Sequence, residues 1–270
     1  MIRRIDFLGS PGIGKSTLYN ELFKSRTKKD GWMTSIEAKI KLAQIHLKRK
    51  DKKFFEHVVT IFLDYNIHKK IHHLLSLIIL ERYGASLSWS DKEAIEFDKI
   101  IKAIAFSPFP PELRLLRFGW LLESAKDVAY LKGFEEVNLN MTVFFNESLT
   151  QKLINIGPWN SQDEKLNLDN LCNVLGSVSA VIFLDADDNT VLNRFLKRLK
   201  QRRNIHLFGM QTETEMINYI KLRLRSARQL ADSLESRGVR IIRVNAEEPI
   251  PDQVAFLRKA LDDLLLSDYH

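Results

Sequence analysis

Gly9 to Ser16 read Gly-Ser-Pro-Gly-Ile-Gly-Lys-Ser, a full match to G-x-x-x-x-G-K-[S/T]. The match lies between an apolar strand pattern, "RIDFLG" near Ile5, and a helical pattern that begins at about Lys15. Its glycines permit backbone conformations that a side chain would obstruct, so successive N–H groups can turn inward. The start of the following helix adds the positive end of its dipole, which makes the loop an anion cradle. Pro11, Gly12, Ile13, Gly14, Lys15, Ser16 and Thr17 are the expected contacts of a bound phosphate chain. Lys15 is expected to reach the β- and γ-phosphates, Ser16 to complete the coordination of a bridging Mg2+, and Thr17 to make a secondary contact. The stretch predicts nucleoside triphosphate binding, and it sets the first unit of the fold as strand, turn and helix.

The rest of the chain continues that alternation. "MTVFF" (Met141 to Phe145), "SAVIFLDA" (Ser179 to Ala186) and "GVRIIRVN" (Gly238 to Asn245) read as buried strands, and "GWMTS" (Gly31 to Ser35) is a weaker fifth. Helical patterns lie between them, which specifies an α/β fold of the P-loop NTPase kind: roughly five parallel strands flanked by helices. The interval 36–132 has only helix-spaced apolar positions and reads as a large helical insertion in a single domain spanning 1–270. Its expected breaks are "YGASLSWSD", where Ser90 would cap the next helix, and "SPFPPE". His46, His57, His68, His72 and His73 all fall in this interval, but no carboxylate or cysteine cluster stands beside them at ligand spacing.

With 45% apolar and 28% charged residues the chain can bury a sizeable core, and disorder is excluded. Its longest apolar run, Leu74 to Leu80, is far short of the ~20 residues of a spanning helix. The N-terminus lacks a signal-peptide pattern, and the single Cys172 reads as a core thiol in a reducing compartment. A soluble, cytoplasmic protein is the expectation. A net charge of +7 favours anionic partners, and much of the excess sits at His46 to Lys53 and at Arg194 to Arg203.

A phosphate loop alone does not separate kinases from other NTPases. A guanine-reading N-K-x-D is absent. "MTVFF" is followed by Asn146-Glu147, where many hydrolytic NTPases place an aspartate; Glu147 is a candidate to act through a metal-bound water or on the acceptor, or is a strand-end cap. After "VIFLDADD" comes a basic helix on which Arg194 and Arg198, four residues apart, share a face, with Arg202 and Arg203 beyond. The segment 194–210 reads as a lid whose guanidinium groups spread over a transferred phosphoryl group.

On "GSPGIGKST", on "DADD" with Arg194-x-x-x-Arg198, and on "RIIRVNAEEPIPDQV", the chain resembles the thymidylate kinase and deoxynucleoside kinase branch of the P-loop kinases, over about half its length. The resemblance implies a basic lid, ATP with Mg2+ as donor, Arg198 against the adenine and the phosphates, and the backbone around Asn245 and Ala246 bordering the base. It departs from the family at Asn146-Glu147, where an aspartate-arginine pair is usual. Glu37 stands where deoxynucleoside kinases keep a carboxylate base; a surface helix glutamate is the competing reading. Arg114 and Arg117, near Trp120, are candidates to hold an acidic acceptor, or form a helix face beside a buried tryptophan.

The expected activity is transfer of the γ-phosphoryl group of ATP to a small-molecule acceptor: a nucleoside, nucleotide or sugar-like compound. The catalytic candidates are Lys15, Arg198, Arg202, Glu147 and Glu37, with Arg194 as a further nucleotide contact. The alternative is a non-kinase P-loop ATPase or NTP-regulated protein that works with a macromolecular partner. A nucleic-acid surface near Arg198 is the weakest reading, because the segment lacks interleaved aromatics. A homodimer is left open.

Overall fold

The computed structural model describes residues 2–27, 29–49, 91–106, 110–136, 141–156, 178–201 and 212–266. The apolar runs form five strands: β1 (Ile2–Leu8), β2 (Trp32–Thr34), β3 (Met141–Phe145), β4 (Ala180–Asp185) and β5 (Arg240–Asn245). They pair in parallel throughout, in the order β2-β3-β1-β4-β5. The weak "GWMTS" pattern is thus a real strand, short because it lies at the sheet edge beside β3. Every residue of β3 is buried, as are the first five of β4, whereas β5 at the other edge alternates between exposed and buried positions. The register sets Ile5 of the central β1 opposite both Phe144 and Ala180. In an open parallel sheet, ligand crevices form beyond the C-terminal ends of the strands, where the connections reverse direction. Here that point is the end of β1, between β3 and β4.

Eight helices are described: α1 (Lys15–Lys24), α2 (Ser35–Arg49), α3 (Asp91–Ala105), α4 (Pro111–Glu136), α5 (Leu149–Ile156), α6 (Asp188–Gln201), α7 (Glu213–Ser236) and α8 (Ile250–Leu266). The two-residue period of β4 divides the core. Ala180, Ile182 and Leu184 join Leu18 and Leu22 of α1 and Leu257 and Leu261 of α8 in one cluster. Val181 and Phe183 join Ile100 of α3, Leu121 of α4, Leu153 of α5 and Leu230 of α7 in the other. The sheet is therefore covered on both faces, as strands with continuous apolar runs require.

Among the described residues of the interval 36–132, every element is a helix. The "SPFPPE" break falls between α3 and α4, with Pro111 as the first residue of α4, where its missing N–H costs nothing. Ser90, Cys172, Arg202 and Arg203 lie outside the described residues. Among those described, no helix is long and apolar enough to cross a membrane.

Two of the three charged residues of β1, Arg4 and Asp6, share one face of the strand. Arg4 donates from Nε to Asp6 Oδ1 at 2.9 Å and from Nη2 to Oδ2 at 2.6 Å, and both residues are buried. The Thr150 hydroxyl, in the first turn of α5, also donates to Asp6 Oδ2. The pair fixes α5 to the central strand directly below the glycine loop.

Candidate functional site

The loop Gly9–Ser16 turns the chain from β1 into α1. A Cβ at Gly9 would lie 3.0 Å from Ile13 Cγ2 and 3.0 Å from the Leu184 carbonyl oxygen, so only glycine fits between loop and sheet. Gly14 caps α1 at φ 113°, a left-handed conformation that favours glycine. No side chain caps this helix and no acidic residue occupies its first turn, which leaves N-terminal N–H groups of α1 available to an anion.

Lys15 is buried beneath the loop, with Nζ donating to the Gly9 carbonyl at 3.2 Å. Burial lowers its pKa below the usual lysine range; the Glu147 carboxylate works to raise it and the Arg198 guanidinium to lower it. Both sequence-named residues therefore act on Lys15 through their fields, from the β3–α5 turn and from α6. An anion beside Lys15 would stabilise the ammonium and offset its desolvation. Ser16 and Thr17 are exposed at the mouth.

Asn146, at the end of β3, places its Nδ2 3.4 Å from Ser16 Oγ, while its own Oδ1 is buried without a hydrogen-bond partner. The Ser16 hydroxyl is a hard oxygen donor of the kind Mg2+ prefers, with waters and phosphate oxygens to complete an octahedron, whereas Asn146 turns its N–H toward that hydroxyl and buries its oxygen. The residues present thus fit Mg2+ bound together with a phosphate chain. Among the described residues, no group of three or more His, Cys, Asp or Glu side chains could hold a metal ion by itself.

On the other side of the loop lies a cavity of about 290 Å³, walled by Gly12, Ile13 and Gly14, by Arg194 of α6, and by Ala246, Pro249 and Gln253 at the β5–α8 turn. Arg194 bridges the two walls, donating from Nη1 to the Ala246 carbonyl at 2.9 Å and to the Ile13 carbonyl at 3.4 Å. The arginine that lines this cavity is Arg194, and Arg198, one turn further along α6, is exposed. Ala246 lines the cavity. The Asn245 side chain closes a local turn next to it, accepting from the Glu247 N–H at 3.0 Å. Arg202, the remaining lid candidate, is among the residues not described.

Glu37 sits at the end of β2, in the first turn of α2. Thr34 and Glu37 form a reciprocal capping box, with Glu37 N–H to Thr34 Oγ1 at 3.1 Å and Thr34 N–H to Glu37 Oε2 at 2.8 Å. Both carboxylate oxygens also accept from the Arg26 fork at 2.7 Å. The Arg26 hydrogen bond holds the Glu37 pKa below the usual carboxylate range, so this group resists taking a proton. Glu37→Gln should cost about 1 kcal/mol in urea unfolding. The ionised carboxylate is the bonded form, so the loss should be complete above the ordinary carboxylate pKa. It should shrink as pH falls through the lowered one.

Arg114 donates to the Ala105 carbonyl at 2.8 Å, capping the end of α3. Arg117 is buried in α4, its pKa pushed down to about 10 by desolvation and then by the neighbouring Arg223. Trp120 packs against the second core cluster. All three belong to the helical layer on that face of the sheet.

Two contributors escape the sequence reading. Arg228 of α7 grips the root of α6: its Nε and Nη2 lie 3.0 Å from the Asp185 carboxylate, its Nη1 donates to Asp188 at 2.8 Å, and Nη2 donates to the Ala186 carbonyl at 2.9 Å. Gln151 of α5 accepts the Gly9 N–H at 3.1 Å. A separation of about forty residues hides the first, and the second is concealed inside an ordinary helix-start pattern.

No family model matches the chain, and a search of curated proteins found no match.

Proposed function

We propose that this chain has a P-loop NTPase fold, binds ATP with Mg2+ at Gly9–Ser16, and transfers the γ-phosphoryl group to a small-molecule acceptor, in the manner of the thymidylate and deoxynucleoside kinases. One observation carries the reading. The buried Lys15 lies at the switch point of a parallel sheet, with the cavity at Arg194 and Ala246 on one side and the Asn146–Glu147 turn on the other. The cavity takes the base, the loop takes the phosphates, and the acceptor approaches over the β3–α5 turn.

In this arrangement Lys15 and the N-terminal N–H groups of α1 hold the phosphate oxygens. Arg198 offers a second cation as charge develops on the transferred group. Mg2+, when bound, would neutralise phosphate charge, and Ser16 is the residue that would hold it. The acceptor oxygen bonds to the γ-phosphorus as the bond to the ADP oxygen breaks, and the acceptor proton leaves to a base. Glu147, exposed and within electrostatic range of Lys15, is the carboxylate available for it, since Glu37 is committed to Arg26.

The test is a screen of nucleosides, nucleotides and sugars for stimulated ADP release. Arg198→Ala should reduce stimulated turnover by about 10²-fold while changing ATP affinity only severalfold; unimpaired turnover would remove Arg198 from the lid role. The neutral Asn146 favours a second reading, an ATP-regulated protein without an acceptor. Stimulation of ADP release by a macromolecule and by no metabolite would select it.

A further inference from the structure

Resting on the reading of Gly9–Ser16 as the phosphate cradle, we propose that Gln151 is a positioning residue that sets the shape of that cradle from the neighbouring helix α5. Ser148-Leu149-Thr150-Gln151 has the sequence of a capping box, in which the glutamine side chain would return to the serine N–H. Only half of that box forms. The Gln151 N–H donates to Ser148 Oγ at 3.4 Å, but the side-chain Oε1 turns away and accepts the Gly9 N–H at 3.1 Å. Gln151 is 1% exposed, so water does not replace this bond.

Gly9 is therefore held from two sides, its N–H by Gln151 and its carbonyl by the Lys15 ammonium. It has no lateral freedom either, packed as it is against Ile13 and Leu184. One residue before Gln151, Thr150 is bonded to Asp6 of β1, so consecutive side chains of α5 grip the central strand and the first residue of the loop. The same helix follows the turn that brings Asn146 to Ser16 and Glu147 into range of Lys15. Gln151 thus holds the cradle in register with the acceptor-side turn, and the loop need not be reshaped when phosphate binds.

The test is titration with two probes, Mg·ADP and metal-free tripolyphosphate, of wild type, Gln151→Met and Thr150→Val. Methionine keeps the length of glutamine without its acceptor, whereas valine removes the neighbouring bond to Asp6 and leaves Gly9 untouched. Gln151→Met should weaken both probes by about tenfold, because a buried N–H loses its partner within the binding loop. Thr150→Val should lower the melting temperature to a similar degree yet bind both probes within about twofold, since it spares the loop. A purely structural role for Gln151 predicts the same small change in binding for both variants.

Amide hydrogen exchange on the wild type supplies a measurement that requires no variant. The Gly9 N–H should be strongly protected in the absence of nucleotide. Wild-type binding with an unaffected Gln151→Met, equal binding losses in the two variants, or an unprotected Gly9 amide would each overturn the proposal alone. Wild-type protein that binds neither probe would overturn the cradle reading and the proposal together.

Discussion

Asp6→Ala should destabilise the protein by about 3–5 kcal/mol, the characteristic loss when one member of a buried ion pair is removed. Arg4 is 2% exposed and Asp6 0% exposed, so the substitution leaves a guanidinium inside the core without its carboxylate. It also takes the acceptor from the Thr150 hydroxyl and loosens α5 from β1. At this chain length the corresponding fall in melting temperature is on the order of 10 °C. Chemical denaturation followed by circular dichroism reads it. The double replacement Arg4→Met with Asp6→Leu should recover most of the loss, because a well-packed apolar pair avoids burying any charge. A single Asp6→Ala variant with wild-type stability would show that the pair contributes nothing to the core.

Lys15→Ala should leave the protein folded and reduce turnover by about 10²–10³-fold. The substitution removes a group whose charged form is already disfavoured by burial, so the fold loses little. The cradle, however, loses the only lysine in Gly9–Ser16, the residue proposed to reach the β- and γ-phosphates. ATP affinity should fall by at least about tenfold, with the α1 N-terminus still attracting the phosphates. A matched pair of measurements, melting temperature and acceptor-stimulated ADP release, separates the functional loss from any structural one.

Much of the architecture is legible before any coordinates. Buried parallel strands must be apolar on both faces, so "MTVFF" and "SAVIFLDA" stand out, and the glycines of the loop mark where β1 turns into α1. The start of α6 is equally plain, because Asp187 can accept the N–H of Asn189 at 2.8 Å and begin a helix. What escapes are choices made by tertiary packing. Arg194 and Arg198 share a helix face, and the sequence does not show that Arg194 is the one bonded to the Ala246 carbonyl at the cavity wall. Glu37 stands where the resemblance to deoxynucleoside kinases would put a base, but Arg26, eleven residues earlier, occupies its carboxylate. Gln151 satisfies a local capping pattern and is diverted by a glycine 142 residues away. In each of these cases the residue type is ordinary, and a partner outside its own helix or strand gives it a role.

Equilibrium titration of the wild-type chain with ATP and Mg2+, repeated on Lys15→Ala, tests the central claim most directly. The account predicts saturable binding at one site, with a dissociation constant in the micromolar to millimolar range on the order of typical enzyme–substrate affinities, weakened by at least about tenfold in the variant. The absence of saturable binding to the wild type, or equal affinity in the two proteins, would contradict it.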